Sequence, residues 1–200
     1  TIERARRPHR TRRELVSAVE LPPNEPVAAF EEIGVTAFTT TRAAADFALG
    51  DDDRKPEGIV AWQALHQQLA PVAPRLASAR QVHGTTILEH GGVWEGWIRA
   101  EGADGHYSAA PGTALAITIA DCVPVFLAHP SGAVAVLHAG WRGTAAKIVH
   151  RGVALFTAAG LDAGDLRLHL VPALWGRCYE VGPDVFSALS GWETIRNRNV

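Results

Sequence analysis

The stretch ITIADCVPVFLAHPSGAVAVLHAGWRG, Ile117 to Gly143, decides how this chain is read. VPVFLA and AVAVLHA are apolar runs of strand length, and Pro130–Gly132 between them is turn chemistry. The pattern predicts strand, turn and strand, close to a hairpin. Cys122 stands just before the first run and His138 closes the second. Strand ends are where side chains from separated parts of a chain can converge on a rigid backbone.

Working outward, Ala114–Ile119 reads as a buried-type strand. Downstream, a helix is predicted from Thr144 to Ala159, where Val149, Val153 and Phe156 share a face and Gly160 is a natural stop. LRLHLVPAL is one more strand, and GRCYEVGPDVFSALSG a turn leading into a short helix. Upstream, short strands are expected at Arg80–His83 and through Ile87. A helix at Pro56–Leu69 follows from Trp62, Leu65 and Leu69 on one face. GVTAFTTTR, Gly34 to Arg42, is β-branched and strand-like, ALGDDDRKPEG is a polar loop, and LPPNEPV a linker. TIERARRPHRTRR, with six arginines, is a solvated basic arm. The expected organisation is therefore an arm and linker over 1–25 and one domain over 26–200. Strands that come in pairs as well as alternating with helices indicate a single α+β domain with mixed β-sheets and flanking helices.

Composition narrows the function classes. The chain has 200 residues, 47% of them hydrophobic and 20% charged, with a net charge of −2. Near-neutrality offers no attraction to nucleic acid or an anionic membrane, so neither is expected as a partner. No apolar run approaches a membrane span, and no signal-peptide pattern opens the sequence. Two cysteines, Cys122 and Cys178, without such a signal suit a reducing compartment, and the cytoplasm is the expected location. The dinucleotide-binding glycine fingerprint and the P-loop are both missing.

His83 in RQVHG, Cys122 in ADC and His138 in LHAGWRG are candidate metal ligands. Two imidazoles and one thiolate form a three-ligand zinc set with a fourth position left for water or substrate. Their spacings, 39 and then 16 residues, resemble no zinc finger, so a structural zinc is disfavoured. The plain alternatives are hydrogen-bonded structural histidines and a cysteine acting as a small hydrophobe. Copper is the less favoured metal. The blue-copper triad usually carries an axial methionine, and this chain has none. A multicopper site draws on many histidines in His-x-His pairs, whereas these nine include no such pair.

In GWRGTAAK, Gly140 and Gly143 flank Arg142 before a helix with Thr144 as expected N-cap, an arrangement suited to an anion such as phosphate or to an ordinary Gly-rich turn. Arg42 is a second candidate anion contact. Asp121, beside Cys122, is a candidate acceptor for a ligating histidine, a candidate proton shuttle, or a turn residue. Asp104 and His106 are weaker candidates to line the same cleft. Tyr179 and Glu180 are placed to close it, and Cys178 to pack.

RQVHG, GADGHYS, IADCVPVFLAHP, AVLHAGWRGT and LVPALWGRCYEVG occur in that order, and together they resemble the YfiH-like family, also labelled the laccase-domain or polyphenol oxidase family and regarded as purine nucleoside phosphorylases. The resemblance runs from about Gly34 to Phe186. It implies a fold of the CNF/YfiH-like cysteine-hydrolase type and zinc held by His83, Cys122 and His138. It further implies phosphorolysis of purine nucleosides by phosphate, cleavage of methylthioadenosine and deamination of adenosine. A bacterial branch is linked to correcting peptidoglycan precursors. Two readings stand beside this one: a metal-free cysteine hydrolase or amidase acting on such precursors, with Cys122 as nucleophile and His138 or His83 as base, and a nucleoside-binding protein without turnover. TTRAAADFALGDDD keeps the arginine of the family pattern but not the glycine pair after it, and no Ser-x-Arg-Arg segment occurs before Val200, so either that segment is absent or the sequence is a piece of a longer chain.

Overall fold

The structure, a computed structural model, describes residues 19–50 and 54–190; the basic arm lies outside the described residues. The elements run β1 (Asn24–Pro26), α1 (Ala28–Glu31), β2 (Phe38–Thr40), α2 (Pro56–Leu69), β3 (Arg75–Ala79), β4 (Ile87–Glu89) and β5 (Gly96–Ala100). They continue with β6 (Gly105–Ser108), β7 (Thr113–Leu115), β8 (Val123–Ala128), β9 (Val134–Ala139), α3 (Trp141–Ala145), α4 (Ile148–Ala158), β10 (Arg167–Leu170) and α5 (Pro183–Leu189).

Among the described residues, three sheets form. The largest has the order β10-β8-β9-β6-β4, antiparallel except for the β4–β6 pair. A second, β5-β3-β7, is wholly parallel, and β1 pairs antiparallel with β2. The expected mixed α+β domain is what the chain forms. The β8–β9 hairpin forms as its pattern implied, with Pro124 opposite His138.

The two larger sheets are each covered by a helix whose apolar stripe matches it. Ala135 and Leu137 of β9 and Val125 and Leu127 of β8 pack with Ile148 and Phe156 of α4. Tyr107 meets Phe156 edge-on at 5.0 Å between ring centroids. On α2, Trp62, Leu65 and Leu69 pack on Leu76 of β3, and Trp62 stacks on Trp97 of β5 at 5.5 Å. Burying each such side chain stabilises the fold by roughly 1.5–3 kcal/mol. Because side chains alternate along a strand, the face of β9 opposite Leu137 is left to carry His138.

Several boundaries differ from expectation, each for a local reason. The strand expected at Arg80–His83 lies earlier, at Arg75–Ala79, because the amides of Val82, His83 and Gly84 bond to the Asp104 carboxylate and not to a neighbouring strand. The strand expected over Ala114–Ile119 ends at Leu115, because the Thr118 amide is taken by the Gln81 side chain. The single helix over Thr144–Ala159 is two helices, broken where Lys147 turns left-handed at φ 65°. Gly140, not Thr144, sits at the N-cap. The LPPNEPV linker contributes β1.

Candidate metal centre

His83 follows β3 on a loop, Cys122 precedes β8 and His138 lies near the end of β9. The hairpin register brings the last two together, and the loop closes over them from a third direction. The donor atoms of His83, Cys122 and His138 all lie within 4.8 Å of one another. The two imidazoles meet edge-to-face, 4.8 Å between centroids. Gly140 makes this approach possible: a Cβ there would stand 3.1 Å from both Cys122 Sγ and His83 Cδ2.

The carboxylate that organises the cluster is Asp104, fully buried at the start of β6. It accepts hydrogen bonds from the amides of His83 at 2.8 Å, Gly84 at 2.7 Å and Val82 at 3.2 Å. It also accepts from Nδ1 of His138 at 2.8 Å. A carboxylate can only accept here, so Nδ1 carries a proton and Nε2 is the ring nitrogen left to act as a ligand. His83 holds φ 58°, a conformation unfavourable for a residue with a side chain, and the three amide bonds to Asp104 hold it there. Burial alone would raise the Asp104 carboxyl, but the bonds from His138 and from the Gly84, Val82 and His83 amides outweigh it and keep the pKa low. Asp121, expected to receive a ligating histidine, is exposed, and Asp104 takes that place.

The Cys122 thiol is pushed up by burial and by the charges of Asp121 and Asp104. A soft donor that is hard to ionise unaided, beside two imidazoles, is a donor set that fits one metal ion.

A cleft of about 950 Å³ opens beside the cluster, and Arg42, Gln81, His83, Asp121, Cys122 and His138 all line it. The other anion candidates divide. Arg142 is exposed, its guanidinium 4.3 Å over the Trp141 ring. Gly143 is buried inside α3, where a Cβ would stand 3.0 Å from the Gly84 carbonyl oxygen. Its smallness serves packing against the His83 loop. Cys178 and Tyr179 are exposed. Gln81, which joins two of the donor-bearing segments, was not among the residues singled out in the sequence. Its neighbour in RQVHG was the visible signal; a side-chain clamp across 37 residues is not.

Fold and site thus define a mixed-sheet α+β protein with a two-imidazole, one-thiol cluster at the edge of a cleft. The chain belongs to the family described as multi-copper polyphenol oxidoreductase laccase, whose profile matches residues 32–197. It is 34% identical over 145 residues to a Streptomyces griseus protein named purine nucleoside phosphorylase ORF3, covering 72% of this chain and 58% of the relative. A Deinococcus radiodurans purine nucleoside phosphorylase is 34% identical over 174 residues, 82% of this chain and 66% of that protein. The chain therefore spans less than two thirds of these relatives' lengths. The crystal structure of Bacillus licheniformis hypothetical protein YfiH superposes with a TM-score of 0.73 at 24% identity, over 89% of this chain and 72% of that one. No helix among the described residues is long and apolar enough to cross a membrane.

Proposed function

We propose that this protein is a zinc-dependent purine nucleoside phosphorylase, with His83, Cys122 and His138 holding the metal. The observation that carries the reading is the convergence of those three donors within 4.8 Å at the edge of a cleft of about 950 Å³, ample for a nucleoside and phosphate. The names of the relatives supply the substrate class. Two imidazoles, one thiol and no further group of three such donors among the described residues suit one zinc ion better than a multicopper assembly.

When bound, zinc supplies Lewis-acid polarisation of an oxygen or nitrogen of the substrate. The chain's own residues do the positioning. Asp104 holds the proton on Nδ1 of His138 and keeps the His83 loop in place. Gly140 leaves the space a Cβ would fill. Arg42 lines the cleft and offers phosphate a guanidinium; Arg142, exposed and outside the cleft lining, is the second proposed contact. Deamination of adenosine and cleavage of methylthioadenosine belong to the same proposal, because both present a purine to the same cleft; Asp121, exposed beside Cys122, is the proposed proton carrier. The metal-free cysteine-hydrolase reading is the weaker one, since burial and two nearby carboxylates oppose thiolate formation.

The test is to incubate the protein with inosine or adenosine, with and without phosphate, and separate the products. Phosphate-dependent release of the free base, with stoichiometric zinc, is the expected result. Cys122→Ala should remove the zinc and lower turnover by on the order of 10²-fold or more. Adenosine converted to inosine without phosphate would assign deamination. A zinc-loaded protein that binds nucleoside but turns over none would overturn the enzymatic reading.

A further inference from the structure

Asp104 ties His83 to His138 through its amide and imidazole bonds, none of which involves Cys122. The Cys122 side depends on the irregular segment between β7 and β8, which enters the site after Ala116 leaves its backbone bond to Ala77. One side chain spans from the His83 loop to this segment. Gln81 Nε2 donates to the Thr118 carbonyl oxygen at 2.8 Å. Its Oε1 accepts from the Thr118 amide at 2.8 Å and from the Thr118 hydroxyl at 2.9 Å. Gln81 lies two residues before His83, and Thr118 four before Cys122. Three bonds of good geometry from one amide head satisfy both backbone polar groups of Thr118, much as a neighbouring strand would.

We propose that Gln81 is a positioning residue that closes the donor triangle by setting the separation between Cys122 and His83. The proposal rests on the metal-centre reading and adds to it a residue of the cleft wall that gives the metal no ligand atom. Outer-shell partners of this kind typically change metal affinity by about 10–100-fold. The amide head is needed because Thr118 presents two donors and one acceptor, and glutamine offers the complementary set. A glutamate can still accept from the amide and the hydroxyl, but it sets a negative charge against the carbonyl.

The test uses the full chain, stripped of metal and titrated with cobalt(II), whose visible and near-ultraviolet bands report a thiolate ligand and its geometry. Wild type should take up one equivalent. Gln81→Ala should weaken cobalt binding about 10–100-fold and alter the thiolate band, together with a fall in the metal-free melting temperature from the three lost hydrogen bonds. Gln81→Glu should recover part of the affinity. Wild-type affinity and spectrum in Gln81→Ala would overturn the proposal. So would a loss of metal-free stability with unchanged affinity, because that marks a purely structural bond. If Gln81→Ala does not fold, Thr118→Val removes the hydroxyl bond alone. A fall of about 5-fold, the equivalent of one hydrogen bond, is then expected, and unchanged affinity overturns the proposal. A wild-type protein that takes up no cobalt defeats the metal-centre reading, and this proposal with it; the variants separate the two failures.

Discussion

His83 and Asp104 show how one residue's strain is held by another's charge. A left-handed histidine costs on the order of 1–3 kcal/mol unless its surroundings enforce it. Asp104 does so through three amides while also fixing the His138 tautomer. Asp104→Asn keeps the shape but replaces one acceptor oxygen by a donor, leaving buried N–H groups facing N–H. The expected outcome is a loss of roughly 3–5 kcal/mol of stability, read by urea unfolding of the metal-free protein. Metal affinity, read by competition with a chelator, should fall about 10–100-fold. A variant with normal metal affinity would show that His138 does not need its carboxylate. Gly140→Ala belongs to the same scale. Its new methyl would press on Cys122 Sγ and His83 Cδ2, and weaker metal uptake with little change in secondary structure by circular dichroism is expected.

Among the elements, α2 is the clearest case of packing overriding propensity. Glycine near the start of a helix is worth about 1 kcal/mol less than alanine in an exposed setting. At Gly58, however, a Cβ would run into the Ala48 carbonyl oxygen, because the 46–50 loop crosses the helix there. That loop is bonded to the helix through Trp62 Nε1 to the Phe47 carbonyl at 3.0 Å and the Lys55 amide to Leu49. Gly58→Ala should therefore destabilise, by about 1–3 kcal/mol, where helix propensity alone predicts a gain. Thermal unfolding decides the sign. On the other helix, Phe156 is fully buried against Tyr107 and the hairpin, and Phe156→Ala should cost about 3–5 kcal/mol.

The molecule as a whole carries a histidine pair away from the metal centre. His90 Nε2 and His106 Nδ1 lie 2.8 Å apart, and among the described residues His106 Nε2 has no partner. Burial, and to a lesser degree the charge of His90, takes His106 down to a pKa of about 3; burial also lowers His90. The unfolded chain binds these protons near pH 6.5, whereas the folded protein leaves His106 neutral until about pH 3. Stability is thus unaffected above about pH 7 and falls as pH drops from 6.5 toward 3. The slope reaches about 1.4 kcal/mol per pH unit for each histidine excluded from protonation. Urea midpoints of the metal-free protein measured from pH 7 to pH 4 should show this decline, and His106→Gln should flatten it. An unchanged acid limb in that variant would assign the loss to other groups.

What the residues determined locally was determined well. The period of Trp62, Leu65 and Leu69 placed α2 at the bounds observed, and all three are buried. The two apolar runs after Cys122 became β8 and β9, and the three residues set at segment ends converged. These features are written in contiguous side chains, whose alternation between oil and water is the dominant local force. Tertiary structure alone decided where β3 and β7 stop, that Asp104 and not Asp121 meets His138, and that Gln81 reaches Thr118. Each of those outcomes turns on a polar side chain capturing backbone or imidazole groups 20 to 37 positions away. Hydrogen bonds of that reach exist only after the sheets have packed, so no local pattern announces them.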